Sequence, residues 1–294
     1  MTTNITAAAS GEFTLGGERT VRRMGFGAMR LPVGVFGGPP RDPETGIAVL
    51  RRAVELGVNH IDTAGFYAWG GVEANDLIRR ALSPYADDLL IATKVGPLRG
   101  PDGLPSDQAG PERLRELVEE DLRTLGLDRF DLVYLRIGGM VRDPEESLGE
   151  RFAVLAELRE EGLIRHLGIS NVGAEQLAEA RSIAPVAAVQ NHFHVHHADD
   201  LALLRRCEEL GVAYVPYFPL GGGDRPLDAE RLAKVAARHD ATAAQVALAW
   251  LLALSPVMLA IPGTGSPAHL EENVAASGLT LTEEDLAEFA AQNA

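Results

Sequence analysis

Eight short apolar runs alternate along this chain with stretches of helical period, and that alternation limits the fold more than any other feature. The runs lie near 23–27, 58–62, 89–94, 131–136, 166–170, 186–190, 212–217 and 257–261. Between them apolar residues recur at helical spacing, as in Ile47, Leu50, Ala53 and Val54 of 45–57, or Leu114, Leu117, Val118, Leu122 and Leu125 after Pro111. Further helices are expected at 73–82, 145–161, 174–182, 199–210, 228–239 and 242–254, with a last one opened by Thr282-Glu283-Glu284-Asp285. Gly57, Gly126, Gly162 and Gly211 stand where a helix has to stop. A strand–helix rhythm without a linker or composition break implies an α/β fold with a parallel sheet, read as a single domain over 1–294. Eight units favour a closed (β/α)8 TIM barrel; an open doubly wound sheet shares the rhythm and remains the competitor. Phe13-Thr14-Leu15 and Thr20-Val21, around Gly16-Gly17, read as an N-terminal β-hairpin, and residues 1–11 are expected to be flexible.

Composition removes several function classes. With 27 Lys+Arg against 42 Asp+Glu the formal charge is −15, which argues against sequence-independent nucleic-acid binding. No apolar run reaches the roughly 18–20 residues of a membrane span, and the first residues lack a signal-peptide core. The single cysteine, Cys207, excludes an intrachain disulfide and fits a reducing compartment. The expectation is a soluble cytoplasmic protein, monomeric by default, with no membrane or nucleic-acid partner.

Two strands end on groups that packing does not require. The run Val58 to Asp62 closes on an acid, with Tyr67 five residues on, and Leu89 to Lys94 closes on a lysine. In a parallel sheet those ends share one side, so Asp62, Tyr67 and Lys94 can converge. A phenol has a pKa near ~10 in water, and a neighbouring ammonium makes it a better proton donor. Lys94 can supply that charge, with Asp62 holding Lys94 protonated. A satisfied buried ion pair beside a packing tyrosine is the competing reading of the same residues.

Five motifs in order bear on that choice: Asp62-Thr63-Ala64-Gly65-Phe66-Tyr67, Ala92-Thr93-Lys94, Gly168-Ile169-Ser170-Asn171, Val189-Gln190-Asn191 and Ile261-Pro262-Gly263-Thr264. Together they resemble the motif set of the aldo-keto reductases, over about Gly25 to Asn273. Asn59-His60-Ile61-Asp62-Thr63, Gly37 to Asp42, Tyr214 to Gly222 and Val246 to Leu252 look most like that family's bacterial pyridoxal reductase (pyridoxine 4-dehydrogenase) group. The resemblance implies NAD(P)H-dependent reduction of a carbonyl in a (β/α)8 barrel, with Tyr67 as proton donor tuned by Lys94 and Asp62. Ser170, Asn171 and Gln190 would bind the nicotinamide carboxamide, and Tyr217 would stack on its ring. The turn Leu220-Gly221-Gly222-Gly223 would admit the pyrophosphate, Glu272 and Asn273 would hold the adenine, and Gly27 and Gly263 count among the cofactor loops.

Two positions depart from the family pattern. Its usual histidine at the end of the fourth strand is Arg136 here, a permanent cation with no acceptor. Arg136 is expected to pair with an anionic group of the substrate, such as the ionised 3-hydroxyl of pyridoxal, and to lower the Tyr67 pKa further; a salt bridge to a loop acid is the alternative. The stretch after Ile261-Pro262-Gly263 carries no Lys or Arg for a 2′-phosphate, only Thr264, Ser266 and His269. NADPH remains the expected cofactor, with NADH not excluded. Trp69 could wall the substrate pocket or simply pack. His192, His194, His196 and His197 lack supporting ligand spacing, so no metal is expected. The substrate is then a small carbonyl compound, with pyridoxal the leading candidate. A broader aromatic-aldehyde or secondary-metabolite ketone reductase, and a nucleotide-sensing interaction module with little turnover, are the alternatives.

Overall fold

The computed structural model describes residues 5–34, 38–100, 105–139, 142–223 and 229–290. Seven strands, Phe26–Gly27, His60–Asp62, Leu90–Val95, Phe130–Arg136, Ile164–Ser170, Val186–His192 and Ala213–Tyr217, lie side by side in chain order and pair in parallel. A doubly wound sheet needs a point where strand order reverses, and none occurs among these seven. The two edges meet instead. Met24 bridges Ala260 and Tyr214 bridges Met258, both in parallel. Gly25 N donates to Ala260 O at 2.8 Å and Leu259 N to Tyr214 O at 2.9 Å. The eighth run, expected at 257–261, thus closes the barrel, through single bridges rather than a full ladder.

Side-chain alternation divides the core into two layers, because successive residues of a strand face opposite sides. Ile61, Ile91, Val133, Leu135, Ile169 and Val189 point outward and pack beneath the helices. Leu90, Ala92, Leu132, Tyr134, Ala188, Ala213, Val215, Leu259 and Ile261 fill the barrel interior. The antiparallel hairpin Glu12–Leu15 and Arg19–Arg22 adds Leu15 and Val21 to that interior cluster and plugs the N-terminal mouth. The same two-residue period carries Asp62, Lys94, Arg136, Ser170, Gln190 and Tyr217 inward at the opposite mouth. That alternation is what builds the site.

The helices fall close to their expected ranges: Pro43–Glu55, Ala74–Leu82, Pro111–Leu125, Gly149–Glu160, Ala174–Ile183, Leu201–Leu210, Ala229–His239, Ala243–Leu254 and Glu283–Ala290. Gly126 and Gly211 end two of them in the left-handed conformation, at φ 69° and 65°. Asp285 completes the expected cap, accepting from Thr282 N at 2.9 Å while its own N–H donates to the Thr282 hydroxyl at 3.2 Å. Three features differ from expectation. Residues 7–10, assigned to a flexible start, form a 3-10 turn whose Ala7 is buried and donates to Leu56 O at 2.8 Å. Gly96 to Gly110, rich in Pro and Gly and expected from sequence to be one long loop, contains a small hairpin, Pro97–Arg99 with Pro105–Gln108. A helix Pro267–Ala275, short and weakly periodic, follows the closing strand. From sequence, loops 32–43, 97–110 and 221–227 are expected to form the pocket walls; 35–37, 101–104 and 224–227 of them lie outside the described residues.

Candidate active site

Asp62 and Lys94 end neighbouring strands and meet in the barrel interior. Lys94 Nζ donates to Asp62 Oδ1 at 2.5 Å and to Thr63 O at 2.9 Å, and both side chains are about 5% exposed or less. Gln190 Nε2 donates to the second oxygen, Asp62 Oδ2, at 2.7 Å. The buried carboxylate therefore has a partner on each oxygen, the condition under which a buried ion pair is tolerable. Tyr67 follows on the loop, with Lys94 Nζ over its ring at 4.7 Å from the centroid. Asp62, Lys94 and Tyr67 do converge.

Their electrostatics correct one expectation. Burial works against the charge on Lys94, but Asp62 and Tyr67 outweigh it and hold its pKa above the ordinary value. The half-buried Tyr67 was expected to be brought down by Lys94 and Arg136. Its pKa is instead raised, because desolvation of the phenolate is the largest effect and Asp62 adds to it; Lys94 and Arg136 pull down without winning. Tyr67 thus holds its proton firmly before any ligand is present.

Arg136 ends the fourth strand in register with Ser170, which is in turn in register with Gln190. Its guanidinium donates to Ser170 Oγ at 3.3 Å and to Gly139 O at 3.1 Å, and lies 4.8 Å from the Tyr217 ring centroid. No described carboxylate lies within 4.0 Å of it, so the expected alternative, a salt bridge to a loop acid, is not formed among the described residues. Tyr217 is also stacked with His192, at 5.4 Å between centroids and 8° between planes, and its hydroxyl donates to Asn171 Oδ1 at 3.4 Å. Asn171 adopts φ 66° and uses its amide on Ile137 O and Gly139 O at 3.0 and 3.2 Å. Ser170 and Gln190 are fully buried, and Gln190 Oε1 has no hydrogen-bond partner among the described residues. Ser170, Asn171, Gln190, Tyr217 and Arg136 are thus brought together as one group.

The remaining residues are dispersed around the rim. Gly222, at φ 75°, turns the chain after Leu220 and accepts from Arg30 through its carbonyl. Thr264 Oγ1 accepts from Ser266 N at 3.1 Å, and Ser266 caps the helix Pro267–Ala275 by accepting from His269 N at 3.4 Å. Glu272 is half-buried and uses its backbone carbonyl on Gln245 Nε2, while Asn273 is buried. Gly27 and Gly263 have a structural reason to be glycine. A Cβ on Gly27 would lie 2.7 Å from Ile261 O, and one on Gly263 would lie 2.4 Å from Gly27 O, so closure of the barrel excludes both. Trp69 donates from Nε1 to Gly38 O at 2.7 Å, tying its loop to the one before the first helix. His192 stacks on His197 at 4.3 Å, and burial pushes the His192 and His194 pKa values down to about 4. Among the described residues no group of three or more His, Cys, Asp or Glu could hold a metal ion, and no helix is long and apolar enough to cross a membrane.

One buried group escaped the sequence reading. Asp121 of helix Pro111–Leu125 accepts from Thr93 Oγ1 at 2.5 Å and from Asn75 Nδ2 at 3.2 Å, and its carboxylate lies against Gly65. Thr63 Oγ1 donates to Asn75 Oδ1 at 2.8 Å. Thr63 and Gly65 flank the Asp62-to-Tyr67 loop and Thr93 precedes Lys94, so Asp121 ties both halves of the ion pair to one helix. A Cβ on Gly65 would lie 2.2 Å from Asp121 Oδ1, which leaves glycine there. Burial pushes the Asp121 carboxyl up to about 7. The signal was present in the sequence: Asp121 sits three residues after Val118 and four before Leu125, on the apolar face.

Comparison with known proteins agrees with this geometry. A pyridoxine 4-dehydrogenase of Escherichia coli is 50% identical over 281 residues, 95% of this chain and 96% of that protein. The aldo-keto reductase str7 of Strobilurus tenacellus is 32% identical over 92% of this chain and 88% of its own length. Among solved structures, the thermostable aldo-keto reductase Tm1743 superposes with a TM-score of 0.80 at 30% identity, covering 96% of this chain and 99% of that one. An aldo/keto reductase from Klebsiella pneumoniae superposes with a TM-score of 0.78 at 26% identity, covering 95% and 94%. The model of the aldo/keto reductase family matches residues 23–294, and the chain belongs to that family.

Proposed function

We propose that this chain is an NADPH-dependent aldehyde reductase whose substrate is pyridoxal, reduced reversibly to pyridoxine. The observation that carries the reading is Lys94, held between Asp62 and Tyr67 inside the barrel mouth, with the Arg136 guanidinium, which has no carboxylate partner among the described residues, beside them. Support for the substrate comes from the 50% identity to a pyridoxine 4-dehydrogenase. Support for the cofactor comes from the Klebsiella pneumoniae structure, described as a complex with NADP and acetate.

The residues present fit a nicotinamide nucleotide. Gln190 Oε1 is a buried acceptor without a partner, suited to a carboxamide N–H, and Ser170 and Asn171 adjoin it on the neighbouring strand. Leu220 and Gly222 would face the pyrophosphate, with Thr264, Ser266, His269, Glu272 and Asn273 around the adenosine end. The bound cofactor supplies the hydride. The protein's part is proton supply and orientation: Tyr67 donates its proton to the carbonyl oxygen, and Lys94, kept charged by Asp62, stabilises the phenolate left behind. Because burial raises the Tyr67 pKa, the proton is retained until a developing alkoxide demands it. Arg136 orients the substrate through an anionic oxygen next to the aldehyde, and Trp69 walls the pocket. All of these groups come from one chain, which suits a monomer, and a single buried cysteine, Cys207, suits the cytoplasm.

The test is NADPH oxidation by the purified protein against pyridoxal, pyridoxal phosphate, simple aromatic aldehydes and ketones. Pyridoxal is expected to give the highest kcat/KM. A higher value for a plain aromatic aldehyde would replace pyridoxal with the broader reductase, and tight nucleotide binding without turnover on any of them would refute the enzyme reading.

A further inference from the structure

The stretch 263–270 contains no lysine or arginine, yet the fold brings one to it from far away in sequence. Arg41 precedes the helix Pro43–Glu55, and its side chain lies against Gly265. A Cβ built on Gly265 would stand 2.6 Å from Arg41 Cδ, 2.7 Å from Nε and 2.8 Å from Cζ. The missing side chain at Gly265 is what lets Arg41 reach the backbone between Thr264 and Ser266. The approach is anchored on the other side. Arg41 N donates to Pro32 O at 3.0 Å and Nε to Val33 O at 3.3 Å, with Gly34 against the guanidinium. The two helices framing the site are joined by Arg52, whose Nε donates to Glu271 Oε1 at 2.8 Å.

The terminal nitrogens of Arg41 have no hydrogen bond or carboxylate partner among the described residues. Arg41 is half-buried, and no carboxylate among the described residues is paired with it. The adjacent Asp42 is turned to its own helix, accepting from Thr45 N at 3.0 Å and from the Thr45 hydroxyl at 2.7 Å. Thr264 and Ser266, the neighbours of Gly265 in the chain, each accept from a backbone N–H through their hydroxyl oxygen, which leaves each O–H able to donate. A cation with open donors against Gly265, with a hydroxyl donor on the residue to either side of that glycine, is complementary to a phosphate monoester.

We propose that Arg41 binds the 2′-phosphate of NADPH at Gly265 and is the residue by which this chain distinguishes NADPH from NADH. The proposal rests on the reading of the chain as an NADPH-dependent reductase. Equilibrium binding, followed by quenching of tryptophan fluorescence with each coenzyme and with 2′,5′-ADP and 5′-AMP, tests it without turnover. Arg41→Ala should weaken NADPH and 2′,5′-ADP by about 10- to 100-fold and leave NADH and 5′-AMP within about twofold. Arg41→Lys should lie between, since it keeps the charge but not the fork. Equal loss for both coenzymes, or none, would overturn the role of Arg41 while leaving an NADPH preference of the unaltered protein intact. An unaltered protein that binds NADH as tightly as NADPH would overturn both this inference and the cofactor assignment beneath it.

Discussion

The guanidinium of Arg136 lies over the ring of Tyr217, 4.8 Å from its centroid, and donates to Ser170 at 3.3 Å. In the proposed function both of those partners serve the nicotinamide, which would put Arg136 at the seam between the cofactor and substrate positions. It holds a full charge there without a described counter-ion. Arg136→Met should therefore lower kcat/KM for pyridoxal by about 10- to 100-fold and affect a neutral aromatic aldehyde far less. Parallel steady-state measurements on the two substrates check this. A common factor for both would mean that Arg136 does not meet the substrate's anion.

Tyr67→Phe removes the proposed proton donor and leaves the ring in place. The rate is expected to fall by about 10²- to 10⁴-fold with NADPH affinity nearly unchanged. Single-turnover kinetics beside a binding titration separates the two effects, and a variant retaining most of its rate would remove Tyr67 from the chemistry.

Asp121 should matter to the site without touching it. Asp121→Leu strands the donors of Thr93 and Asn75, at about 1–3 kcal/mol for each buried group left unpaired, and loosens the loop carrying Tyr67. Asp121→Asn, which keeps an acceptor, should recover most of the stability. The folded carboxyl, near 7, lies above its unfolded value of about 3.9, so its contribution is full below about pH 4 and is lost as pH rises towards 7. Urea denaturation should accordingly show stability of Asp121→Asn relative to the unaltered protein rising across that window. A flat difference would mean that Asp121 does not titrate there.

His60 works in the opposite sense. Burial pushes its imidazole down to about 4, against a smaller upward pull from the Arg22 backbone, while the unfolded chain titrates near ~6.5. The unfolded state binds the proton first, so stability falls as pH drops from about 6.5 to 4, at no more than about 1.4 kcal/mol per pH unit. Because Asp121 and His60 oppose one another in the same window, single variants are needed to see either. His60→Leu should lose less stability than the unaltered protein between pH 6.5 and pH 4.5. An unchanged slope would mean that His60 already titrates normally when folded.

Local pattern determined a large part of this protein. Period two and period 3.6 announced the strands and helices nearly to their ends, and the strand ends at Asp62 and Lys94 were conspicuous because a charge there answers no packing need. Asp121 is also legible in the sequence, as an acid on an apolar helix face. Tertiary structure decided what local pattern does not encode. Barrel closure rests on single bridges from Met24 and Tyr214 to Ala260 and Met258, contacts between ends of the chain that no window contains. The raised pKa of Tyr67 depends on how much water the assembled mouth excludes, a quantity the identity of its neighbours leaves open. The cation beside Gly265 was invisible for the same reason. Arg41 reaches it across the sheet's closing seam, and proximity through space follows from the closed fold rather than from position along the chain.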